Sequence, residues 1–387
     1  MKDITKGITY IGVDDMELDL FESLYCIPHG VSYNSYLIVD DKVAIMDAVD
    51  SRKCEEWLAI LDSALSGREP DYLIVHHMEP DHAGSMLDVV QRYPNIVIVA
   101  TQRAIDMLSQ FFEETTLLRN LHPVQEGDTL SLGEHTLQFL TAPMVHWPEV
   151  MCSYERKEGV LFSADAFGKF GALSHVEEWT CEARRYYFNI CGRYGAAVQG
   201  LLKKVATLDV KYICPLHGPI LSGELDYYIG LYDTWSRYEA ESEGVFIAYG
   251  SIYGGTAAAA KQVAEMLRAR GVTKVVVSDL SRDDMAAAVE EAFRMSHLLL
   301  AAASYDGGVF PPMHTFLHHL QIKGYRSRRV GIIENGSWAP CAGLTMRKML
   351  EQMKDIDIVE PMVTILSRVK SSDVPKLEEL AKRLVEK

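Results

Sequence analysis

Nowhere in this chain do apolar residues run on for the roughly 20 positions that a membrane-spanning helix needs. No Cys-x-x-Cys pair occurs either. The seven cysteines, Cys26, Cys54, Cys152, Cys181, Cys191, Cys214 and Cys341, are odd in number and scattered. That pattern argues against a disulfide framework, a structural zinc knuckle and a cysteine-ligated iron centre. It predicts buried, reduced thiols in a cytoplasmic protein. The opening Met-Lys-Asp-Ile-Thr-Lys-Gly lacks the charged-then-apolar order of a secretory signal. Positive charge is in short supply: 38 Lys and Arg stand against 54 Asp and Glu, a net charge of −16. Nucleic acid and anionic membrane surfaces are therefore poor main partners, while a small basic or metal-bearing partner is allowed. Low-complexity tracts, Gly/Ser-rich linkers and internal repeats are all missing. What remains is an ordinary globular composition, 48% hydrophobic and 24% charged, over 387 residues, a length that suggests two domains.

The two halves differ in rhythm. Up to about Glu243 the chain carries short apolar runs of strand length: Val43–Met46, Tyr72–Val75, Ile96–Ala100, Thr136–Leu140 and Val160–Ser163. Helical stretches such as Ser51–Leu65 and Arg103–Phe112 lie between some of them, a layered α/β pattern. Asp226–Glu243, with Trp235 and Tyr238 at helical spacing, reads as a connecting helix. From Gly244 onward strands and helices alternate regularly. Strands are predicted at Val245–Gly250, Lys274–Asp279, His297–Ala303, Arg329–Glu334 and Ile356–Ile365. Helices are predicted at Thr256–Arg270, Asp283–Met295, Pro311–Ile322, Ala342–Met353 and Asp373–Glu386. Five such units suggest a doubly wound parallel sheet of flavodoxin type, with its ligand at the carboxyl ends of the strands.

The densest chemistry lies in His77-Met-Glu-Pro-Asp-His-Ala-Gly84, between the strand Asp71–Val75 and the helix-like run Ser85–Tyr93. Two imidazoles and two carboxylates fall within six residues at a strand-to-helix turn, where side chains can converge on metal. The stretch resembles the metallo-β-lactamase signature His-x-His-x-Asp-His with Glu79 in place of the second His. Zinc favours nitrogen and sulfur donors, whereas a carboxylate-rich set suits iron or manganese. Three further candidates close apolar runs: His146, Asp165 and His217. Each alone could be a buried, hydrogen-bonded core residue; together, their order and flanks fit the same plan.

In the second half, Ser251, Ile252, Tyr253, Gly254, Gly255 and Thr256 form a turn into a helix, where backbone N–H groups can reach a phosphate. No Lys or Arg lies in this loop, and it is not a Gly-x-x-x-x-Gly-Lys triphosphate loop. The loop Ser304, Tyr305, Asp306, Gly307, Gly308 follows the third strand. Asn335, Gly336, Ser337, Trp338 and Ala339 follow the fourth. Both loops offer aromatic faces and backbone donors to a flat ring.

Over essentially its whole length the chain resembles a flavodiiron protein of the two-domain type. The resemblance is carried by the turn at His77–Gly84 together with Ala142-Pro-Met-Val-His-Trp-Pro148, Leu161-Phe-Ser-Ala-Asp-Ala-Phe167, Pro215-Leu-His-Gly-Pro219, Gly30-Val-Ser-Tyr-Asn-Ser-Tyr-Leu-Ile38 and Tyr232-Asp-Thr-Trp-Ser-Arg-Tyr238. It implies a metallo-β-lactamase-like αββα sandwich over residues 1–243 and a flavodoxin-like five-stranded domain over 244–387. It also implies a diiron centre, with His77, Glu79 and His146 on one iron, Asp81, His82 and His217 on the other, and Asp165 bridging. His82 is the ligand most apt to swing away. The three second-half loops would hold flavin mononucleotide (FMN). Asp306 departs from the Asn expected there, and a carboxylate near the flavin disfavours its anionic reduced form.

The activity implied is reduction of dioxygen to water or of nitric oxide to nitrous oxide. A head-to-tail homodimer, alone or within a tetramer, would bring one chain's flavin to the other's irons. Tyr194 and His29 are candidates to line the substrate pocket. No rubredoxin-like cysteine pairs follow the flavodoxin half, so the donor is expected to be a separate molecule, rubredoxin or a reduced deazaflavin. Two other readings compete: a metallo-β-lactamase-fold hydrolase, and a flavodoxin-type electron carrier with a degenerate partner domain. Glu79 and the fused flavin half speak against the first, the full ligand set against the second, and the identity of bound metal separates all three.

Overall fold

The computed structural model describes residues 2–113 and 119–386, which fall into two compact units, Met1–Asp233 and Thr234–Lys387. Each has its own core.

The first unit holds a seven-stranded and a six-stranded sheet, both mixed. Their facing side chains, among them Ile8, Tyr36, Ile38, Met46, Ile74, Val99, Phe139, Met151, Val160 and Phe162, make one apolar cluster. The predicted strand Val43–Met46 forms with those bounds, because all four of its residues are buried. Tyr72–Ile74 runs parallel to it on one side and to Val97–Thr101 on the other. In the second sheet Val160–Phe162 and Tyr212–Cys214 are parallel neighbours. Two antiparallel steps separate Thr136–Thr141 from Val160–Phe162, so these two point the same way. Strands Thr136–Thr141, Val160–Phe162 and Tyr212–Cys214 thus all end at one edge. The loops holding His146, Asp165 and His217 leave from that edge.

The second unit is a parallel sheet in which the strand beginning at Ser242 lies between Val275–Asp279 and Met295–Tyr305, followed outward by Arg326–Asn335 and Lys354–Ile358. That is the 2-1-3-4-5 order of flavodoxin-type sheets. The helices Gly255–Ala269 and Val374–Val385 bury Ala260, Val263, Leu267, Leu377, Leu380 and Leu384 against one face. One sequence expectation needs correction. Ile356–Ile365 is not a single strand but two, Lys354–Ile358 and Val363–Ile365. Pro361 separates them, since proline brings no N–H to a ladder. Asp226–Glu243 likewise divides into a helix, Leu225–Ser236, and the start of the strand Ser242–Gly250.

Candidate functional site

His77 follows the strand Tyr72–Ile74, and Glu79 immediately precedes a one-turn helix, Pro80–Ala83, that carries Asp81 and His82. His146 and His217 come from the edge loops described above. Gly218 follows His217 at φ +81°, with Lys169 packed where a Cβ would stand, so a side chain here would disturb the turn that aims the imidazole.

Two groups of ligand atoms result, His77, Glu79, His146 and Asp165 in one and Asp81, His82 and His217 in the other. Asp165 is shared between them. Its Oδ2 lies 3.2 Å from His77 Nε2 and 3.4 Å from His146 Nε2; its Oδ1 lies 3.3 Å from His82 Nε2 and 3.8 Å from His217 Nε2. Glu79 Oε2 faces His77 and His146 at 3.2 and 3.0 Å, and Asp81 Oδ2 faces His217 and His82 at 3.2 and 3.4 Å. His82 points into the cluster rather than away from it.

The outer nitrogens are fixed in turn. His77 Nδ1 is 2.8 Å from Glu149 Oε1, which also accepts from the Met78 N–H. His217 Nδ1 lies 2.7 Å from the Ser32 carbonyl oxygen. Such outer partners orient imidazoles for metal. Behind His77, the fully buried His76 bonds to Asp47 through Nδ1 and to Ser153 Oγ through Nε2 at 2.8 Å.

The electrostatics agree with a cation site. Burial alone would lower the His146 imidazole, yet hydrogen bonds to Asp165 and Glu79 push it up to about 9. Burial likewise works against His77, and Asp165 still holds it well above its ordinary value. Burial would raise Glu79, but hydrogen bonds from His146 and His77 hold it well below the usual carboxylate range. Glu22 is pushed up to about 7 by burial and by the Glu79 carboxylate beside it. Both Asp81 oxygens, both His82 nitrogens, Asp165 Oδ1 and His217 Nε2 are buried with no hydrogen-bond partner. Orphaned polar atoms of this kind are costly unless something else satisfies them. Two cations would do so, and the mixed nitrogen and carboxylate donors suit iron.

A cleft of about 270 Å³, lined by Phe21, Glu22, Tyr33 and Arg52, opens on Glu79 and Asp81. Tyr186, whose ring lies 5.6 Å from that of His217, keeps its hydroxyl buried and without a hydrogen-bond partner. Tyr33, whose ring lies 6.1 Å from that of His217, also stands beside the cluster. Tyr194 is half-buried at the end of a short 3-10 turn, and neither it nor His29 lines this cleft. His29 stacks flat on His175, 3.7 Å between ring centres and 6° between planes, near Glu177. Lone pairs of parallel imidazoles lie in their own ring planes and do not meet.

In the second unit a cleft of about 470 Å³ is lined by all three predicted loops. Ser251, Ile252, Tyr253, Gly255, Thr256, Ser304, Tyr305, Asp306, Gly307, Asn335, Gly336, Ser337, Trp338 and Ala339 face it, joined by Cys341, Ser367 and Arg368. Gly254 stands just behind as the N-cap at φ +86°, and Gly308 begins a short strand paired with Tyr305. Sequence reasoning missed Ser367, Arg368, Glu149 and Tyr186. None sits in a motif, and only the folded chain brings them to their sites.

Fold and site together define a metallo-β-lactamase-like metalloprotein joined to a flavodoxin-like unit. A family model described as ODP family beta lactamase matches residues 31–218. The chain is 30% identical over 393 residues to a nitric oxide reductase of Moorella thermoacetica, covering 98% of this chain and 97% of that protein. It is 28% identical to an anaerobic nitric oxide reductase flavorubredoxin of Aeromonas hydrophila, covering 87% of this chain and 70% of the other. Among solved structures, the flavodiiron protein of Giardia intestinalis superposes with a TM-score of 0.92 at 22% identity, covering 99% of this chain and 96% of that one. Rubredoxin:oxygen oxidoreductase of Desulfovibrio gigas superposes with a TM-score of 0.91 at 24% identity, covering 99% and 97%. The chain belongs to the flavodiiron protein family.

Proposed function

We propose that this oxidoreductase reduces dioxygen to water, nitric oxide to nitrous oxide, or both, at a pair of irons re-reduced through FMN. The observation that carries the reading is Asp165, whose two carboxylate oxygens are divided between two sets of ligands. In this reading His77, Glu79 and His146 hold one iron, Asp81, His82 and His217 the other, and Asp165 belongs to both. Two ferrous ions so held would supply electrons and adjacent binding positions to a diatomic substrate, and a bound flavin would supply replacement electrons.

The chain's own side chains prepare that site. Asp165 would neutralise charge shared by both positions, and Glu79 charge at the one it forms with His77 and His146. Glu149 and the Ser32 carbonyl keep His77 and His217 in the tautomer that offers Nε2 inward. Phe21 meets His217 edge-on at 5.3 Å, and the buried Tyr186 stands on the same ligand, so water is kept off one side. The Tyr186 hydroxyl, buried without a hydrogen-bond partner, has donor capacity left. A thioester or lactam hydrolase would have no use for the flavin cleft.

The electron donor in this reading is rubredoxin or a reduced deazaflavin. The working form is a head-to-tail homodimer, supported by the 92% and 99% exposure of Trp338 and Tyr253 at the flavin cleft, aromatic surface that a partner would cover. The test is metal and flavin analysis of the purified chain, then anaerobic reduction and parallel turnover with dioxygen and nitric oxide. Iron, FMN and consumption of either gas support the proposal. Zinc in place of iron, with thioesterase activity, would sink it.

A further inference from the structure

The flavin's phosphate poses a charge problem. The turn Ser251–Thr256 offers hydroxyls, backbone N–H groups and the start of the helix Gly255–Ala269, but no cation. A phosphate dianion held without one leaves most of its charge to dipoles. The fold answers from far along the chain. Ser367, in the loop after the strand Val363–Ile365, is seated against the first turn of that helix. Its carbonyl accepts from Asn335 Nδ2 at 3.0 Å, its N–H donates to Asn335 Oδ1 at 3.0 Å, and its hydroxyl is 2.9 Å from Ser337 Oγ. It lies so close that a Cβ on Gly255 would strike the Ser367 carbonyl oxygen. The next residue is Arg368, exposed and lining the cleft.

Of the residues lining the cleft, only Asp306 and Arg368 carry charge. Asp306 tops the hairpin after Met295–Tyr305, on the loop offered to the ring, whereas Arg368 adjoins the residue packed on the phosphate turn. The nearby Lys370 ammonium is turned onto the Leu366 carbonyl at 2.8 Å. Among the described residues no carboxylate pairs with Arg368, so its guanidinium is available.

We infer that Arg368 is the phosphate-binding cation of the flavin cleft and the residue that makes the chain select FMN over riboflavin. This rests on the flavin reading above. A guanidinium presents paired N–H donors that match phosphate oxygens and stays charged at any working pH. Riboflavin shares the ring and ribityl chain but gives Arg368 nothing to bind. The preference should therefore fall when Arg368 is replaced, while contacts to the ring persist.

The test uses the full chain stripped of flavin and titrated with FMN and with riboflavin, followed by quenching of flavin fluorescence. In Arg368→Gln, FMN affinity is expected to fall about tenfold or more, as for loss of a hydrogen bond to a charged group. Riboflavin affinity should be unchanged, and Arg368→Lys should recover part of the FMN loss. Added salt should weaken FMN binding more steeply in the wild type than in Arg368→Gln. Equal losses for both flavins would mean that Arg368 supports the loop or the ring, and would overturn the inference; so would unchanged FMN affinity. A wild-type chain that binds neither flavin would overturn the flavin reading itself.

Discussion

At the scale of single residues, Asp165 is the most exposed to test, in the sense that two metal positions depend on one side chain. Asp165→Asn keeps the shape and removes the charge and one ligating oxygen. The expected outcome is an unchanged far-UV spectrum with iron content cut to one per chain or less. Glu149→Gln probes the layer behind. It should leave the ligands in place but loosen His77, lowering metal affinity about 10- to 100-fold in a chelator competition.

The pH behaviour follows from the same groups, with opposite signs with and without metal. In the metal-free chain the His146 imidazole, held at about 9, stabilises the fold fully below its unfolded value near about 6.5, and this is lost as pH rises through 9. Glu79 and Asp165, held low, contribute stability above the ordinary carboxylate range that is lost as pH falls. Thermal unfolding of the metal-free chain should therefore peak in mildly acidic buffer and decline towards pH 9. The iron-loaded chain should show the reverse trend over that span, because metal must displace those protons and its hold strengthens with pH. Parallel curves for the two forms would contradict this account.

At the scale of elements, end chemistry does much of the work. Asp284 caps the helix Met285–Arg294, accepting from the Ala286 and Ala287 N–H groups, each at 3.2 Å. Asp284→Ala should cost the second unit about 1 kcal/mol in urea unfolding without loss of flavin. Elements of this kind were legible in the sequence. Buried runs such as Val43–Met46 and the helix Pro311–Ile322 have the bounds their patterning predicts, because burial on known faces and a proline at the start leave little choice. Legibility failed where a break overrode propensity, at Pro361, and where a residue acts through space. The ligand set was readable because four of its members crowd into one strand-to-helix turn, 77–82, and His146, Asp165 and His217 each close an apolar run. Tyr186 was not, since it lies in a helix, Trp179–Ile190, with ten of its twelve residues buried, where nothing marks one tyrosine from the next.

At the scale of the whole molecule, the chain divides into two units with separate cores, and its described helices include none long and apolar enough to cross a membrane. The second unit has roots upstream of its first strand. Arg328 is buried, and its guanidinium donates to the carbonyls of Tyr238, Met295 and Phe293 at 2.8, 2.8 and 2.6 Å. A fragment beginning at Gly244 strands part of that guanidinium, whereas one beginning at Thr234 does not. The longer fragment should be the more stable by about 1–3 kcal/mol in denaturant. Equal stabilities would show that Tyr238 matters little.

The division of Asp165 between two ligand sets has a consequence in time as well as space. The ligands lie at 77–82, 146, 165 and 217, so a growing chain presents them in four separate stretches. The first stretch supplies only part of each ligand set, the shared carboxylate comes later and the last imidazole later still. A complete pair of irons is therefore a record that the whole first unit has closed. Once bound, the metals tie together segments far apart in sequence, a cross-link that forms only in the finished fold.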